Sequence, residues 1–211
     1  MGGPTVPHKV RTAILISGRG SNMAALIDAA RAADFPAEIA LVFSNVETAE
    51  GLKIAHAAGV ATKVISHKVF ASREEFDAAI DAALTAAGIE LICEAGFMRI
   101  HSEGFVRKWE GRMLNIHPSL LPAFKGLRVQ QQALDAGVKI SGCTVHFMVP
   151  ELDSGPIIAQ AAVPVIAGDT AETLAARILA EEHKLYPAAL ALLAYGKVRL
   201  ENGRAVETGQ P

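Results

Sequence analysis

A chain of 211 residues has room for one large domain or two small ones and can bury a full core. Twenty basic against twenty-two acidic side chains leave a formal charge of −2, which excludes the broad positive footprint of a nucleic-acid or anionic-membrane binder. Cys93 and Cys143, the two cysteines, have neither disulfide-framework nor metal-ligand spacing and read as buried thiols. No apolar run reaches a membrane-spanning length, and MGGPTVPHKV lacks a signal-peptide core. The expectation is a cytoplasmic protein with one domain over 1–211, a loose leader at 1–8 and a disordered tail at 207–211.

In chain order, Val10 to Ile16 is an apolar run of strand length that empties into Ser17-Gly18-Arg19-Gly20-Ser21-Asn22, and a helical pattern follows through Leu26, Ile27 and Ala30. Backbone amides converging at such a glycine turn and helix start favour an anion. A tightly packed turn without a ligand would look the same. Met23 at the third glycine position and the missing Walker lysine disfavour a dinucleotide or nucleoside triphosphate. Ile39–Phe43 reads as a second strand, Thr48 to Ala58 as a helix, and Val60–Ile65 as a third strand. Ser72 and Glu75 then form a capping box for a helix with Phe76, Ile80 and Leu84 on one face. Ile89–Ala95 is a fourth strand. The alternation predicts an α/β fold: a mostly parallel sheet covered on both faces.

The loop Gly96-Phe97-Met98-Arg99-Ile100-His101 holds large apolar side chains, which the sequence favours as core but which could instead line a slot for a flat heterocycle. Trp109 reads as packing. In MLNIHPSLLPAFKGL, Met113, Leu114 and Ile116 end a buried strand, and Pro118, Pro122 and Gly126 stop any regular element beyond it. Asn115 and His117 thus stand at a strand's carboxyl end, where open α/β sheets place reacting groups. An amide donor one residue away from an imidazole suits a developing oxyanion, although an N-x-H sequence also serves as turn chemistry.

Val129 to Ala136 is helical, and Ser141–Val149 alternates as a strand. After the Glu151–Pro156 turn, Ile157–Ile166 pairs antiparallel with it, which makes the sheet mixed. A long helix starts at Asp169 as N-cap and is expected to run to about Tyr186, where Pro187 kinks or breaks it. Lys197 to Val206 is a hairpin around Asn202-Gly203. Asp153 is a turn former by default. Set against His117, it would orient the ring and hold its proton, and with Asn115 it would support direct acyl transfer to an amine without a Ser or Cys nucleophile.

The sequence NIHPSLLP followed by a glycine resembles the signature of the folate-dependent formyltransferases. ISGRGSN and HFMVPELDSGPI are similar to the branch that formylates glycinamide ribonucleotide, and the resemblance runs from Val10 to about Gly196. It implies a Rossmann-like formyltransferase fold, with Asn115, His117 and Asp153 catalytic and no metal. 10-Formyltetrahydrofolate would be the donor and the primary amine of glycinamide ribonucleotide the acceptor. Gly20, Ser21 and Asn22 would hold the ribonucleotide phosphate, and Glu182 would sit near the glycinamide end. The folate would lie across Met98, Arg99, Ile100 and His101 and the turn Val149, Pro150, Glu151 and Leu152, with Arg73 near its glutamate tail. Monomer and homodimer both remain open. Ser154, where the family has a glycine, and His101 depart from the family pattern.

Three other readings compete. A methionyl-tRNA formyltransferase would carry a further C-terminal domain, and a formyltetrahydrofolate hydrolase an N-terminal regulatory one. A folate- or nucleotide-binding module without turnover would keep the fold and lose the chemistry.

Overall fold

A computed structural model of the protein describes residues 8–208. Strand β1 (Val10–Ile16) is buried without interruption from Thr12 to Ile16, as a strand covered on both faces must be. Around it the sheet runs β3-β2-β1-β4-β5-β6-β7. The strands β2 (Ala37–Ser44), β3 (Thr62–Val64), β4 (Leu91–Glu94) and β5 (Met113–His117) are parallel to it. Strand β6 (Ile140–Phe147) runs antiparallel to β5, and β7 (Ile157–Pro164) antiparallel to β6, so that β7 again points the way β1 does. The mixed sheet expected from the short Glu151–Pro156 connection is therefore present.

Helices cover both faces. Met23, Leu26 and Ile27 of α1 (Ser21–Ala30), Ala55 of α2 (Glu50–Ala57) and Tyr186, Ala189 and Leu190 of α6 (Ala171–Ala194) pack on one side against Ile14, Val42 and Leu114. On the other side α3 (Arg73–Ala86) and α4 (Glu103–Lys108) bring Phe76, Ile80, Leu84 and Phe105 against Leu15, Phe43 and Ile92. The short α5 (Val129–Asp135) joins α6 over β6 and β7 through Ala133, Leu174 and Ile178. Both cysteines are buried, and desolvation pushes each thiol up to about 12.

Strand order reverses beside β1, with β2 on one flank and β4 on the other. Loops leaving β1 and β4 therefore diverge at the carboxyl edge and open a crevice there.

Three expectations need correction. Helix α6 does not end at about Tyr186 but passes through Pro187 to Ala194. An interior proline costs roughly 3 kcal/mol, yet Tyr186, Ala189 and Leu190 beside it are fully buried, and the Tyr186 hydroxyl reaches the carbonyls of Glu94 and Leu114 at 2.9 and 3.1 Å. Those contacts hold the helix through the lost bond. The N-cap of α6 is Thr170, in a reciprocal box with Thr173. Asp169 is engaged elsewhere, in a two-pronged pair with Arg177 at 2.8 Å. Finally, Glu207 is not tail: it closes β9 (Arg204–Glu207) opposite β8 (Val198–Glu201), and the Thr208 N–H donates to Lys197. The rest of the expected tail and leader residues 1–7 lie outside the described residues. The hairpin turns at Asn202-Gly203, both at positive φ, as expected.

Candidate active site

Asn115 and His117 sit two residues apart on β5, so they share a face of the sheet. On β5's parallel flank Asn115 is level with Glu94; on its antiparallel flank Asn115 faces His146 and His117 faces Thr144. The Thr144 hydroxyl donates to the Ser119 carbonyl at 2.7 Å and accepts from the Leu121 N–H at 3.0 Å. Gln160 bonds both Thr144 and the Leu121 carbonyl at 2.9 Å. Strands β6 and β7 thereby pin the proline-rich loop beyond His117, including the cis Leu121–Pro122 bond.

Asp153 does lie against His117. Its Oδ1 is 3.5 Å from Nδ1, an ion-pair distance longer than a good hydrogen bond, and its Oδ2 accepts from the Gly126 N–H at 2.8 Å. It holds a left-handed backbone, φ 47°, and so do Phe124 and Arg128 in the loop it touches. Three non-glycine residues in this region are strain that the surrounding bonds must hold. On the other side of the ring, Nε2 is 2.9 Å from the Phe124 carbonyl. The ring therefore has a carboxylate near one nitrogen and a carbonyl at hydrogen-bond distance from the other.

His146 is a residue the sequence reading left out. Its Nδ1 is 2.9 Å from the Phe147 carbonyl, which assigns the ring proton there and leaves Nε2 as an acceptor 3.3 Å from the Asn115 amide nitrogen. Burial depresses its pKa, so the ring is neutral. One Asn115 N–H thus orients the amide, and the second has no partner among the described residues. The signal was weak because β6 is buried on both faces from Ser141 to Phe147, so alternation marks no residue as special.

The anion loop is built for close approach. Gly20, at φ 75°, caps α1 without any side-chain cap, leaving the first-turn N–H groups free of side-chain partners. A Cβ on Gly20 would meet the Gly51 backbone at 2.8 Å, and Gly51 donates its N–H to Gly18 at 3.0 Å. Asn22 donates to Glu182 at 2.7 Å across to α6, and its own Oδ1 is buried with no partner among the described residues. Glu182 is buried rather than part of a solvated face. Desolvation raises its pKa, opposed by the Asn22 hydrogen bond and by the nearby charge of His117. The Ser21–Asn22 helix start, Glu182 and His117 therefore converge.

The 96–101 loop divides the two readings of it. Phe97 is core at 7% exposure, while Met98 and Ile100 stand out at 65% and 58%. Arg99, Pro150, Glu151 and Leu152 are also exposed, Val149 is half-buried, and Arg73 is exposed in the first turn of α3. His101 is the exception: its ring is buried among α3, β4 and α4, withdrawn from the surface where a ligand would lie. Both its ring nitrogens are held by carboxylates, which leaves only the backbone of His101 to face a ligand lying across the loop. Ser17 ties this loop to the anion loop, its hydroxyl accepting from the Met98 N–H at 2.8 Å and donating to Asn45 at 2.6 Å.

A crevice at the switch of a parallel sheet, with an amide and an imidazole beside a carboxylate at its edge, is where α/β enzymes place group-transfer chemistry. Residues 10–190 match the model of the formyl transferase family, and the chain belongs to that family. It is 42% identical to the phosphoribosylglycinamide formyltransferase of Escherichia coli over 93% of each chain. It is 55% identical to the trifunctional purine biosynthetic protein adenosine-3 of Bos taurus over 94% of this chain, but spans only 20% of that relative's length. Among solved structures, glycinamide ribonucleotide transformylase 1 from Symbiobacterium toebii superposes with a TM-score of 0.92 at 48% identity, covering 95% of this chain and 94% of that one. The Brucella melitensis phosphoribosylglycinamide formyltransferase is 58% identical, with a TM-score of 0.86 over 89% and 96%. Among the described residues no helix is long and apolar enough to cross a membrane, and no group of three or more His, Cys, Asp or Glu is placed to hold a metal ion.

Proposed function

We propose that this chain transfers the formyl group of 10-formyltetrahydrofolate to the primary amine of glycinamide ribonucleotide, a step of purine synthesis. The observation that carries this reading is the convergence of His117, Asp153 and Asn115 with the Asn22–Glu182 pair at the anion loop. One half of that convergence suits an acyl group and the other a phosphorylated amine. Family membership and the similarity to phosphoribosylglycinamide formyltransferases of like length support it.

The ribonucleotide phosphate would take the amides of Gly20, Ser21 and Asn22, with Glu182 near the glycinamide end. The folate would lie across Met98, Arg99, Ile100 and the 149–152 turn, with Arg73 available to its acidic tail. The amine nitrogen attacks the formyl carbon, and the carbonyl oxygen becomes an oxyanion. The free N–H of Asn115 donates to that oxygen, and the His117 charge stabilises it; in a buried site such stabilisation is the main catalytic contribution. Asp153 keeps the imidazolium in place and, through water, takes the proton that the amine loses. The C–N bond to the folate then breaks, and the folate nitrogen leaves with the proton the amine lost, returned from Asp153 through the same water. For His117 itself to donate that proton, its bond to the Phe124 carbonyl must first be exchanged.

The test is a spectrophotometric transfer assay with 10-formyl-5,8-dideazafolate, with and without glycinamide ribonucleotide. Deformylation that requires the ribonucleotide is expected. Deformylation without it would make the protein a hydrolase, and binding of both ligands without turnover would make it a binding module.

A further inference from the structure

The chemistry above leaves one buried ionisable cluster unused. The ring of His101 lies flat between Phe97 and Phe105, with centroids at 5.2 and 4.4 Å and planes within 12° and 18°. Nδ1 is 2.7 Å from Asp77 Oδ1, and Nε2 is 2.7 Å from Glu94 Oε1. The second oxygen of Asp77 accepts the Ser102 N–H at 2.5 Å. All three ionisable residues are buried. Carboxylates accept and do not donate, so both contacts hold together only when the ring is an imidazolium.

The places of the three partners matter more than their charge. Glu94 ends β4, level with Asn115; Asp77 lies within α3; Ser102 is the N-cap of α4. The cluster therefore fixes both ends of the short segment from Ala95 to Ile100, whose exposed side chains are Met98, Arg99 and Ile100. Between those ends its recorded ties to the rest of the sheet edge run through Ser17 and β1. Asp77 from α3 and Glu94 from β4 are the charged groups facing the ring. The loop and α4 present Phe97, Phe105 and Ser102, and from α6 Tyr186 meets the Glu94 carbonyl rather than its carboxylate. A cavity of about 390 Å³ on the side of α3 and α4 lies against the outer edge of the cluster, lined there by Asp77, Ser102 and Phe105 and further out by Glu74, Asp81, Glu103 and Lys108.

We propose that His101 is a positioning residue for the formyl donor: clamped in its charged form between Glu94 and Asp77, it holds the Ala95–Ile100 segment in the shape that receives the flat end of the folate. The identity of the donor rests on the function proposed above; the ordering of the segment does not. Burial opposes the charge, but Glu94 and Asp77 outweigh it and hold the ring's pKa up at about 9. A raised pKa makes the clamp's contribution complete below the ordinary histidine value, about 6.5, and lost as pH rises through about 9. Deprotonation turns one ring nitrogen into a lone pair facing a carboxylate, and that contact opens.

The experiment compares the wild-type chain with His101→Gln and with Glu94→Leu/His101→Leu, in which the buried charges become apolar and Asp77 keeps its Ser102 bond. Hydrogen exchange of residues 95–102, corrected for intrinsic rate, and the Kd of 10-formyl-5,8-dideazafolate are followed from pH 6.5 to 9.5. In the wild type, exchange and Kd should rise together, with Kd up about tenfold, while in the double variant both stay flat. At pH 7.5 His101→Gln should raise the donor KM about tenfold with kcat and the ribonucleotide KM within about twofold. The same pH dependence in the wild type and the double variant would overturn the clamp. So would a His101→Gln protein that melts earlier but keeps its donor KM, since the cluster would then be structural only. If the wild type fails to transfer formyl at all, the donor assignment falls, while the exchange profiles still decide the clamp.

Discussion

His117 and His101 stand at the same edge of the sheet, each buried and each beside carboxylate, yet their settings differ. His101 has a carboxylate at 2.7 Å on both sides and an aromatic ring on both faces. His117 ends strand β5 with one carboxylate at 3.5 Å and one backbone carbonyl, both from loops that carry left-handed residues, and with Asn115 and Glu182 close by. A charge that is fully saturated by its neighbours has nothing left for a ligand and serves as structure. An imidazole with fewer and longer contacts is available to a reacting group. Residue type does not separate the two; the count and distance of acceptors does.

Substitutions can break the comparison from either side. The largest effect should come from Asp77→Ala, which leaves the His101 charge with one partner in a dry site; breaking a buried pair costs about 3–5 kcal/mol, and chemical denaturation should show it. Next, His117→Ala and Asp153→Asn should each cut kcat by more than about a hundredfold, or about 2.7 kcal/mol, while dideazafolate binding persists. Near-normal turnover in either variant would remove that residue from the chemistry. A finer probe is His146→Leu, which takes the acceptor from Asn115 and should cost about tenfold in kcat, the worth of one oriented hydrogen bond. His146→Gln, which can present an oxygen to the same amide, should recover part of that loss. As a control distant from both histidines, Thr170→Ala removes the cap of α6 and should cost about 1 kcal/mol in stability with kinetics unchanged.

The strand-and-helix alternation was readable because its signals are local: apolar runs, glycine stops and the Ser72 cap, whose hydroxyl does accept from Glu75. The glycine turn was readable in the same way, since Gly20 is held to glycine by its φ and by the approach of Gly51. What stayed hidden depends on partners far along the chain. Glu182, placed near the site only by the resemblance, has no local signal of its own, because its partner Asn22 lies 160 positions away. His101 looked like loop because Asp77 and Glu94 come from two other elements. Pro187 should stop a helix by local rules, and it does not because a tyrosine and a leucine next to it are buried against the sheet.

Strand β5 is the seam of the sheet, parallel to β4 on one side and antiparallel to β6 on the other. Side chains along a strand alternate, so a slip of one residue in either pairing would turn Asn115 and His117 together to the wrong face. The resulting molecule would keep its helices and its sheet and have no activity. Specific activity in a refolded preparation therefore measures how faithfully this one strand found its register, a quality that a circular dichroism spectrum would pass over.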